Sequence, residues 1–300
     1  MELWIPITIA AAFMQNIRSA LQKHLKAELS TAGATSSRFF YALPFAFLYV
    51  IGLKYGAGLE PPRPNFVFAA YTAVGGISQI GATALLVSLF SYRNFAVGTA
   101  YSKTETVQTA IFGVLILGDP LGLAAGIAIL ISVCGVFAIT LARSEEGIAG
   151  VLAGLGGKAA WIGLASGALF GVSAVSYRAA ALSLGGEGFL MQAAFTLATV
   201  LVMQSFLMLI YMRLREPGEV TRVLKSWRLT GLVGLTGMLG SVGWFTAMTI
   251  QNAAYVRALG QIELVFTFAA SYLIFHERAN RAEIVGIALI VFGILVLLLG

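Results

Sequence analysis

Residues 94–109 of the chain read NFAVGTAYSKTETVQT, and residues 252–267, at an offset of 158 positions, read NAAYVRALGQIELVFT. Without a gap, this offset aligns three pairs of polar residues: Asn94 with Asn252, Glu105 with Glu263, and Thr109 with Thr267. Chance matches between Ala, Val and Leu are common in an apolar chain, whereas paired Asn, Glu and Thr in one register are not. The sequence therefore predicts an internal duplication, with one copy in each half of the chain.

The composition of the chain places both copies in a membrane. Hydrophobic residues make up 59% of the 300 residues and charged residues only 11%, against the ~25% of charged residues in a typical soluble domain. A membrane-spanning helix needs ~20 apolar residues, so ten of them leave about 100 residues for ends and connections. The composition excludes a soluble enzyme and predicts an all-α polytopic membrane protein without an extramembrane domain.

Apolar runs that end at polar or Pro/Gly breaks predict ten membrane-spanning helices. They lie at about residues 4–21, 35–53, 66–90, 95–117, 121–142, 160–183, 188–212, 230–250, 254–275 and 282–299. The first follows the acidic Glu2 and no small-residue cleavage site, so we expect a retained span rather than a signal peptide. The predicted domains are a first five-helix repeat, a linker and a second five-helix repeat, at residues 1–145, 146–159 and 160–300. Because five is odd, the second repeat must be inverted relative to the first, as in secondary transporters.

Two carboxylates fall about midway along predicted spans four and nine, Glu105 and Glu263. A charged residue at the centre of a span costs at least ~2.5–3.5 kcal/mol on insertion scales, so each needs an explanation. Each glutamate could cap a break in its helix or bond a neighbouring helix. Alternatively, one or both line a central cavity, where they bind a cationic group or exchange a proton.

Basic residues also fall within the predicted spans. Lys103 lies two residues before Glu105 and therefore on another face of the same helix. Four arginines lie nearer to span ends, where they could either snorkel to the interface or face the cavity: Arg18, Arg38, Arg178 and Arg257. If Lys103 and an arginine join the two carboxylates, the site carries both signs and suits a zwitterion or a bifunctional organic ion.

Three uncharged residues complete the predicted site. Gln79 could bind substrate or join two helices by a hydrogen bond, and Trp244, in the interior of span eight, could stack on substrate or serve packing, as could Tyr101. Span eight also carries a glycine at every third position from 231 to 243, which permits close helix approach or bending. The predicted substrate-binding set is Lys103, Glu105, Glu263, Arg178, Arg257, Trp244, Gln79, Tyr101 and Arg18, with Glu105 and Glu263 as the candidates for proton coupling.

Cysteine and histidine are too few for metal or nucleophile chemistry. Cys134 is the single cysteine, and His24 and His276 are far apart in the sequence. No catalytic residue, metal or cofactor is expected, and the net charge of +6 is attributed to membrane topology rather than to nucleic-acid binding. The expected partners are a small-molecule substrate, the lipid bilayer, and a proton or an exchanged solute. The sequence does not specify an oligomeric state.

The two aligned segments resemble the duplicated EamA-type module of the drug/metabolite transporter superfamily. That family carries a Glu-Pro pair in its fourth and ninth helices, an acidic residue about fourteen positions on, and then a Gly-rich helix. Glu105 with Asp119, and Glu263 with Glu277, match this spacing. Thr106 and Leu264 replace the two prolines, so this chain lacks the residue that would break the helix at each glutamate. Lys23 and Arg38 also resemble basic residues that the family carries after helix one and at the start of helix two.

The resemblance covers essentially the whole chain and implies a secondary transporter that works by alternating access. Family members carry amino acids, nucleobases, nucleotide sugars, vitamins, quaternary amines and drugs. From the mixed charges of the site we expect a small polar metabolite, by default an amino acid or related zwitterion, and export across the cell (inner) membrane. The alternatives are a carrier of organic cations or amines, and a lipid-headgroup transporter or flippase. An enzyme is not expected, because the sequence shows no constellation of catalytic residues on a common face.

The distribution of basic residues predicts the orientation of the chain. Connections 1/2, 3/4, 5/6, 7/8 and 9/10 hold twelve lysines and arginines, and the opposite side holds two, Lys54 and Arg63. Lysine and arginine in short connections stay in the cytoplasm. The count therefore favours both termini outside the cytoplasm, whereas the family resemblance implies termini inside.

Overall fold

The structure, a computed structural model, describes residues 2–89, 101–143, 157–186, 188–273 and 280–300. Within these ranges the regular structure is entirely helical. In chain order the helices are α1 (Trp4–Leu25), α2 (Thr31–Phe40), α3 (Leu43–Ala57), α4 (Phe66–Leu89), α5 (Glu105–Phe112, continued by a π-helical turn, Gly113–Leu117), α6 (Leu123–Arg143), α7 (Lys158–Ser183), α8 (Phe189–Arg215), α9 (Glu219–Lys225), α10 (Trp227–Ile250), α11 (Ala253–Gly260), α12 (Ile262–Leu273) and α13 (Arg281–Leu299).

These helices form the predicted membrane architecture. Seven segments of the described chain are long and apolar enough to cross a membrane: α2 together with α3, α4, α6, α7, α8, α10 and α13. Helix α1 has 22 residues, the length of a span, and is less apolar because polar residues occupy its second half. Two further spans consist of α5 with its π-helical turn, and of α11 followed by α12. The ten segments form two inverted five-helix repeats, and the predicted fold class is confirmed.

Some boundaries differ from the sequence prediction. Span two, predicted as one helix over residues 35–53, consists of α2 and α3, because Pro44 lies in the first turn of α3 and cannot donate a helical hydrogen bond to the preceding turn. The connection between spans seven and eight contains α9, a short helix that was not predicted. The predicted domain boundaries stay a prediction, since residues 144–156 of the linker region lie outside the described residues.

Glycine contacts between α6 and α13, the last helices of the two repeats, show the inversion. A Cβ atom on Gly135 would lie 2.6 Å from the carbonyl oxygen of Gly286, and one on Gly293 would lie 2.8 Å from that of Ala128. Residue numbers therefore rise along α6 where they fall along α13. The two helices occupy equivalent places in the repeats and run antiparallel, which is what an inverted duplication requires.

The repeats also exchange contacts around the centre of the molecule. Helix α1 of the first repeat packs against α10 of the second, and α7 of the second repeat packs against α4 of the first. The two contacts are equivalent, because they join span one to span eight and span six to span three. Glycines permit both, since a Cβ on Gly243 would lie 2.7 Å from Ala11 Cβ and one on Gly75 would lie 2.7 Å from Tyr177 Cε1. The interface between the repeats therefore encloses the middle of the bundle.

Candidate functional site

Two helix breaks lie at equivalent places in spans four and nine. Lys103 and Thr104 form a turn before α5, which begins at Glu105. In the second repeat, Gln261 separates α11 from α12, and Glu263 lies in the first turn of α12. A carboxylate in the first turn of a helix is stabilised by the positive end of the helix dipole. The breaks therefore form without the prolines of the family pattern, and each exposes a helix N-terminus to a glutamate.

The threonines four residues after the glutamates have the same role in both repeats. The hydroxyl groups of Thr109 and Thr267 donate to the backbone carbonyls of Glu105 and Glu263, at 2.6 and 2.9 Å. These bonds lie within one helical turn and leave the carboxylate groups free for other partners. The repeated sequence thus encodes a repeated local structure.

Two ion pairs connect the repeats at these breaks. The Nζ atom of Lys103 binds Glu263 Oε1, and Arg257 Nη1 lies 3.2 Å from Glu105 Oε1. Each pair joins one residue of the first repeat to one of the second. The side chains of both glutamates and of Arg257 are less than 15% exposed, and that of Lys103 is 20% exposed. Separating a buried pair leaves a charge uncompensated, so the repeats cannot part here without another partner for those charges.

Two amide residues of α1 complete the surroundings of Glu263. Gln15 Nε2 donates to Glu263 Oε2 at 2.8 Å, and Asn16 Nδ2 donates to Glu263 O at 2.9 Å and to Thr267 Oγ1 at 2.6 Å. Neither residue was predicted from the sequence as part of the site. Two consecutive amides near the middle of a predicted span are costly in a bilayer, and that signal could have revealed them.

The arginines of α1, α2 and α11 face inward. Arg18, Arg38 and Arg257 are 5%, 7% and 9% exposed, so the snorkelling alternative is wrong for these three residues. Arg38 Nη1 donates to Thr83 Oγ1 at 3.2 Å, whereas Arg18 Nε is buried and has no acceptor among the described residues. In the described ranges, no carboxylate lies within ion-pair distance of Arg18 or Arg38.

Aromatic residues of α7 and α10 form the opposite side of the centre. The guanidinium carbon of Arg257 lies 4.9 Å from the centroid of the Trp244 ring. Tyr177 stacks on Phe245 with a centroid distance of 4.4 Å.

Gln79 joins α4 to two neighbouring helices. Its Oε1 atom accepts hydrogen bonds from the Tyr177 hydroxyl group at 3.1 Å and from the side-chain amide of Gln204, in α8, at 2.9 Å. Gln79 therefore joins three helices, the second of the two roles considered for it.

A cavity of about 60 Å³ lies where these groups meet. Its charged lining residues are Arg18, Arg38, Lys103, Glu105, Arg257 and Glu263, and its aromatic lining residues are Phe170, Tyr177, Trp244 and Phe245. Gln79 also reaches its wall. At ~10–15 Å³ for each water molecule, the cavity holds about four or five water molecules. A metabolite of ordinary size enters only if the helices around the cavity move apart.

Two residues of the predicted site lie elsewhere. Arg178 forms an ion pair with Asp119, with Nε 3.0 Å from Oδ2, and donates to the carbonyl oxygens of Met248 and Gln251 at 2.8 and 2.7 Å. Tyr101 is 4% exposed and packs edge-on against Phe137, with ring centroids 5.4 Å apart. Neither residue lines the cavity. The position of Arg178 could not be predicted from the sequence, because its partners are about 60 to 70 residues away in the chain.

Sequence comparison decides the family. The model of the EamA-like transporter family matches residues 2–141 and again residues 157–299. The chain belongs to the EamA-like transporter family. A solved crystal structure shares the fold with a TM-score of 0.71 at 17% sequence identity, over 99% of this chain and 96% of that chain. Among proteins of curated function, none matches this sequence.

Membership of the EamA-like family confirms that the chain is a multi-pass membrane transporter. The second acidic residue of the family pattern is Asp119 in the first repeat, and the structure gives it a partner, Arg178. Its equivalent, Glu277, lies outside the described residues. Arg38, which resembles a basic residue of the family at the start of helix two, lies in the wall of the cavity.

Polar contacts join the repeats on both sides of the cavity. On the side of the chain termini, the Arg178 cluster, which comprises Arg178, Asp119 and the carbonyl groups of Met248 and Gln251, ties connection 4/5 to the end of span eight. On the other side, buried Glu219 accepts a bond from the backbone N–H group of Ser30 at 2.6 Å and one from Arg222 Nη1 at 3.0 Å. This Glu219 cluster ties connection 1/2 to connection 7/8. The two clusters lie where gates of a transporter would have to open.

Proposed function

We propose that this EamA-like protein is a secondary transporter that moves a small polar metabolite with at least one anionic group by alternating access. The observation that carries this proposal is the pair of reciprocal ion pairs, Lys103 with Glu263 and Arg257 with Glu105, at the two helix breaks. Discontinuous helices at the interface of inverted repeats are where secondary transporters bind substrate.

The ion pairs supply a way for substrate to change the conformation. In the described conformation the two carboxylates neutralise Lys103 and Arg257 across the interface between the repeats. An anionic substrate that binds one of these cations replaces the carboxylate and weakens a contact that holds the repeats together. A ligand shifts a conformational equilibrium only by its different affinities for the two states, and this exchange of partners provides that difference.

The clusters on the two sides supply the gates. The Arg178 cluster closes the side of the chain termini and the Glu219 cluster closes the opposite side, and each joins segments of both repeats. Since the cavity of about 60 Å³ is too small for a metabolite, access from either side requires one cluster to separate. Opening one cluster while the other stays formed is alternating access.

The charges at the cavity favour a substrate with an anionic group over an organic cation. Among the described residues, four basic side chains and two carboxylates line it, so an organic cation or amine would meet a surplus of like charge. An amino acid or related zwitterion, the default from the sequence, has the anionic group that the proposal requires. No contact of the described residues favours a lipid headgroup over these classes. Export across the cell (inner) membrane remains the direction that we propose.

A proton or an exchanged solute is the proposed coupling partner. Protonation of Glu105 or Glu263 would release the basic residue that it pairs with, and an exchanged solute would neutralise that residue in place of the carboxylate. We also propose the orientation that the basic residues favour, with both termini outside the cytoplasm.

Uptake by proteoliposomes that contain the purified full-length chain tests the proposal. The library comprises radiolabelled leucine, succinate, glycerol 3-phosphate, uracil and choline, and protein-free liposomes are the control. We expect saturable uptake of at least one compound that bears an anionic group. Uptake of choline alone, or no uptake of any compound by protein that is folded and inserted, contradicts the proposal.

A further inference from the structure

We propose that the cavity binds a small organic dianion, a dicarboxylate or a phosphate ester, and that Arg18 and Arg38 are its anchors. This inference rests on the proposed transport function and names the class of its substrate. It begins with the two arginines in the cavity wall that have no carboxylate partner among the described residues.

The charges around the cavity do not balance. The described lining contains four basic side chains and two carboxylates. Both carboxylates are already bound, Glu263 by Lys103 and Glu105 by Arg257. Within the described part of the chain, Arg18 and Arg38 have no carboxylate at ion-pair distance, so two positive charges are left over.

These two charges are buried in the middle of the protein. Arg18 is 5% exposed and Arg38 is 7% exposed. Arg18 Nε is buried with no acceptor in the described part of the chain, although every N–H group of a guanidinium is a strong donor. Burial of unpaired charge is unfavourable unless a partner is supplied, and in a transporter the substrate can supply it.

The two arginines are neighbours, so a single ligand can reach both. Gly237 of α10 lies against each of them, because a Cβ atom there would be 3.4 Å from Arg18 Cδ and 3.7 Å from Arg38 Cβ. Both side chains also line a second, smaller cavity beside this glycine. Adjacent like charges repel each other, and a ligand with two negative charges relieves the repulsion where a neutral one does not.

The chemistry of the donors specifies the ligand further. A guanidinium group presents a planar fork of N–H donors that matches the oxygen atoms of a carboxylate or a phosphate. A zwitterion would neutralise one arginine, and its ammonium group would then need Glu105 or Glu263, each of which has a basic partner already. A dianion has no ammonium group that would compete for these carboxylates, and its two negative charges match both spare positive charges.

The test compares charge classes and charge-removing variants in the proteoliposome assay. Uptake of succinate and of glycerol 3-phosphate is measured against uptake of leucine for the unsubstituted chain, Arg18→Gln and Arg38→Gln. Arg215→Gln, which removes an exposed arginine at the end of α8, is the matched control. Arg18→Lys keeps the charge without the planar fork. Size-exclusion chromatography and thermal unfolding in detergent establish that each variant is folded.

We expect uptake of at least one dianion, with a KM that rises about tenfold or more in Arg18→Gln and in Arg38→Gln, as for loss of a charge-assisted hydrogen bond. Arg215→Gln should change the KM less than twofold. Succinate uptake alone identifies a dicarboxylate site, and glycerol 3-phosphate uptake alone identifies a phosphate-ester site.

Other results overturn the inference. Uptake of leucine without either dianion refutes it while the transport function stands, and no uptake of any compound refutes the transport function itself. Dianion uptake that Arg18→Gln and Arg38→Gln leave unchanged refutes the role of the two anchors. If a Gln variant does not fold, thermal unfolding of the unsubstituted chain decides between the classes. Succinate or glycerol 3-phosphate, at a concentration on the order of 10 mM, should then stabilise the chain more than leucine does.

Discussion

At the scale of single residues, the two intramembrane glutamates are equivalent in sequence but unequal in their surroundings. Glu105 neutralises Arg257, whose side chain is 9% exposed, and Glu263 neutralises Lys103, whose side chain is 20% exposed. A lysine that loses its partner can shed its proton, whereas an arginine stays charged. Loss of the Glu105 carboxylate therefore leaves the more deeply buried and more persistent charge.

We predict that Glu105→Gln damages the protein more than Glu263→Gln. Breaking a buried ion pair costs about 3 kcal/mol of unfolding free energy, and the more exposed pair should cost less. Thermal unfolding in detergent and initial uptake rates in proteoliposomes measure the two effects. Equal and complete loss of folded protein in both variants would instead show that the glutamates serve only the fold.

A second prediction concerns the coupling within one pair. Lys103→Gln combined with Glu263→Gln removes both charges, so neither is left buried alone. The double variant should lose less unfolding free energy than the sum of the single variants, by about 1–3 kcal/mol. Additive losses would show that the contact between Lys103 and Glu263 contributes nothing to stability.

The sequence predicted those residues of this site whose charge is costly inside a membrane, and it did not predict their partners. Charged groups inside spans indicated Glu105, Glu263 and Lys103, and all three line the cavity. Their partners could not be predicted, because Lys103 and Glu263 are 160 residues apart and meet only when the repeats pack. The same limit explains Arg178, which the sequence placed at the site and the structure places in an ion pair with Asp119.

At the scale of helices, the breaks in spans four and nine contain no proline and contact each other. The side chain of Gln261, in the second break, donates to Thr106 Oγ1 at 2.8 Å, and Thr106 follows the first break. The two breaks therefore stabilise each other across the repeat interface. A sequence pattern that relies on proline does not detect such breaks, whereas the pairing of Asn, Glu and Thr in one register did locate the helices that contain them.

Close helix packing leads to a third prediction. Gly135→Ala would place a Cβ atom 2.6 Å from the backbone oxygen of Gly286, and backbone cannot move aside as a side chain can. We expect a loss of about 1–3 kcal/mol of unfolding free energy, as for other overpacked cores. Gly52→Ala in α3, where a Cβ atom has no neighbour within 4 Å among the described residues, is the control and should be neutral or stabilising. Equal stability of the two variants would refute the close contact between α6 and α13.

At the scale of the whole molecule, the apolar runs predicted the number of spans, and the duplication of five spans predicted the inversion of the second repeat. The duplication does not predict orientation, because the fold can insert with its termini on either side of the membrane. The basic residues of the connections set which side that is. We predict that Lys225→Cys, exposed at the end of α9, is shielded from an impermeant thiol reagent added to intact cells. The background is Cys134→Ala, which removes the single native cysteine. Ready labelling of Lys225→Cys, with no labelling of a cysteine added after Gly300, would place the termini in the cytoplasm.

The most direct test of alternating access locks the side of the Arg178 cluster. Gly122 and Tyr255 lie beside this cluster in different repeats, with Gly122 N 3.3 Å from the Tyr255 hydroxyl oxygen. Gly122→Cys with Tyr255→Cys, in the Cys134→Ala background, is joined by a short, cleavable bifunctional thiol reagent, and each single cysteine variant is the control. We predict that cross-linking lowers metabolite uptake by proteoliposomes at least ~10-fold and that cleavage of the reagent restores it, because the gate must open in every cycle. Uptake by the fully cross-linked protein at the rate of the single variants would contradict the account.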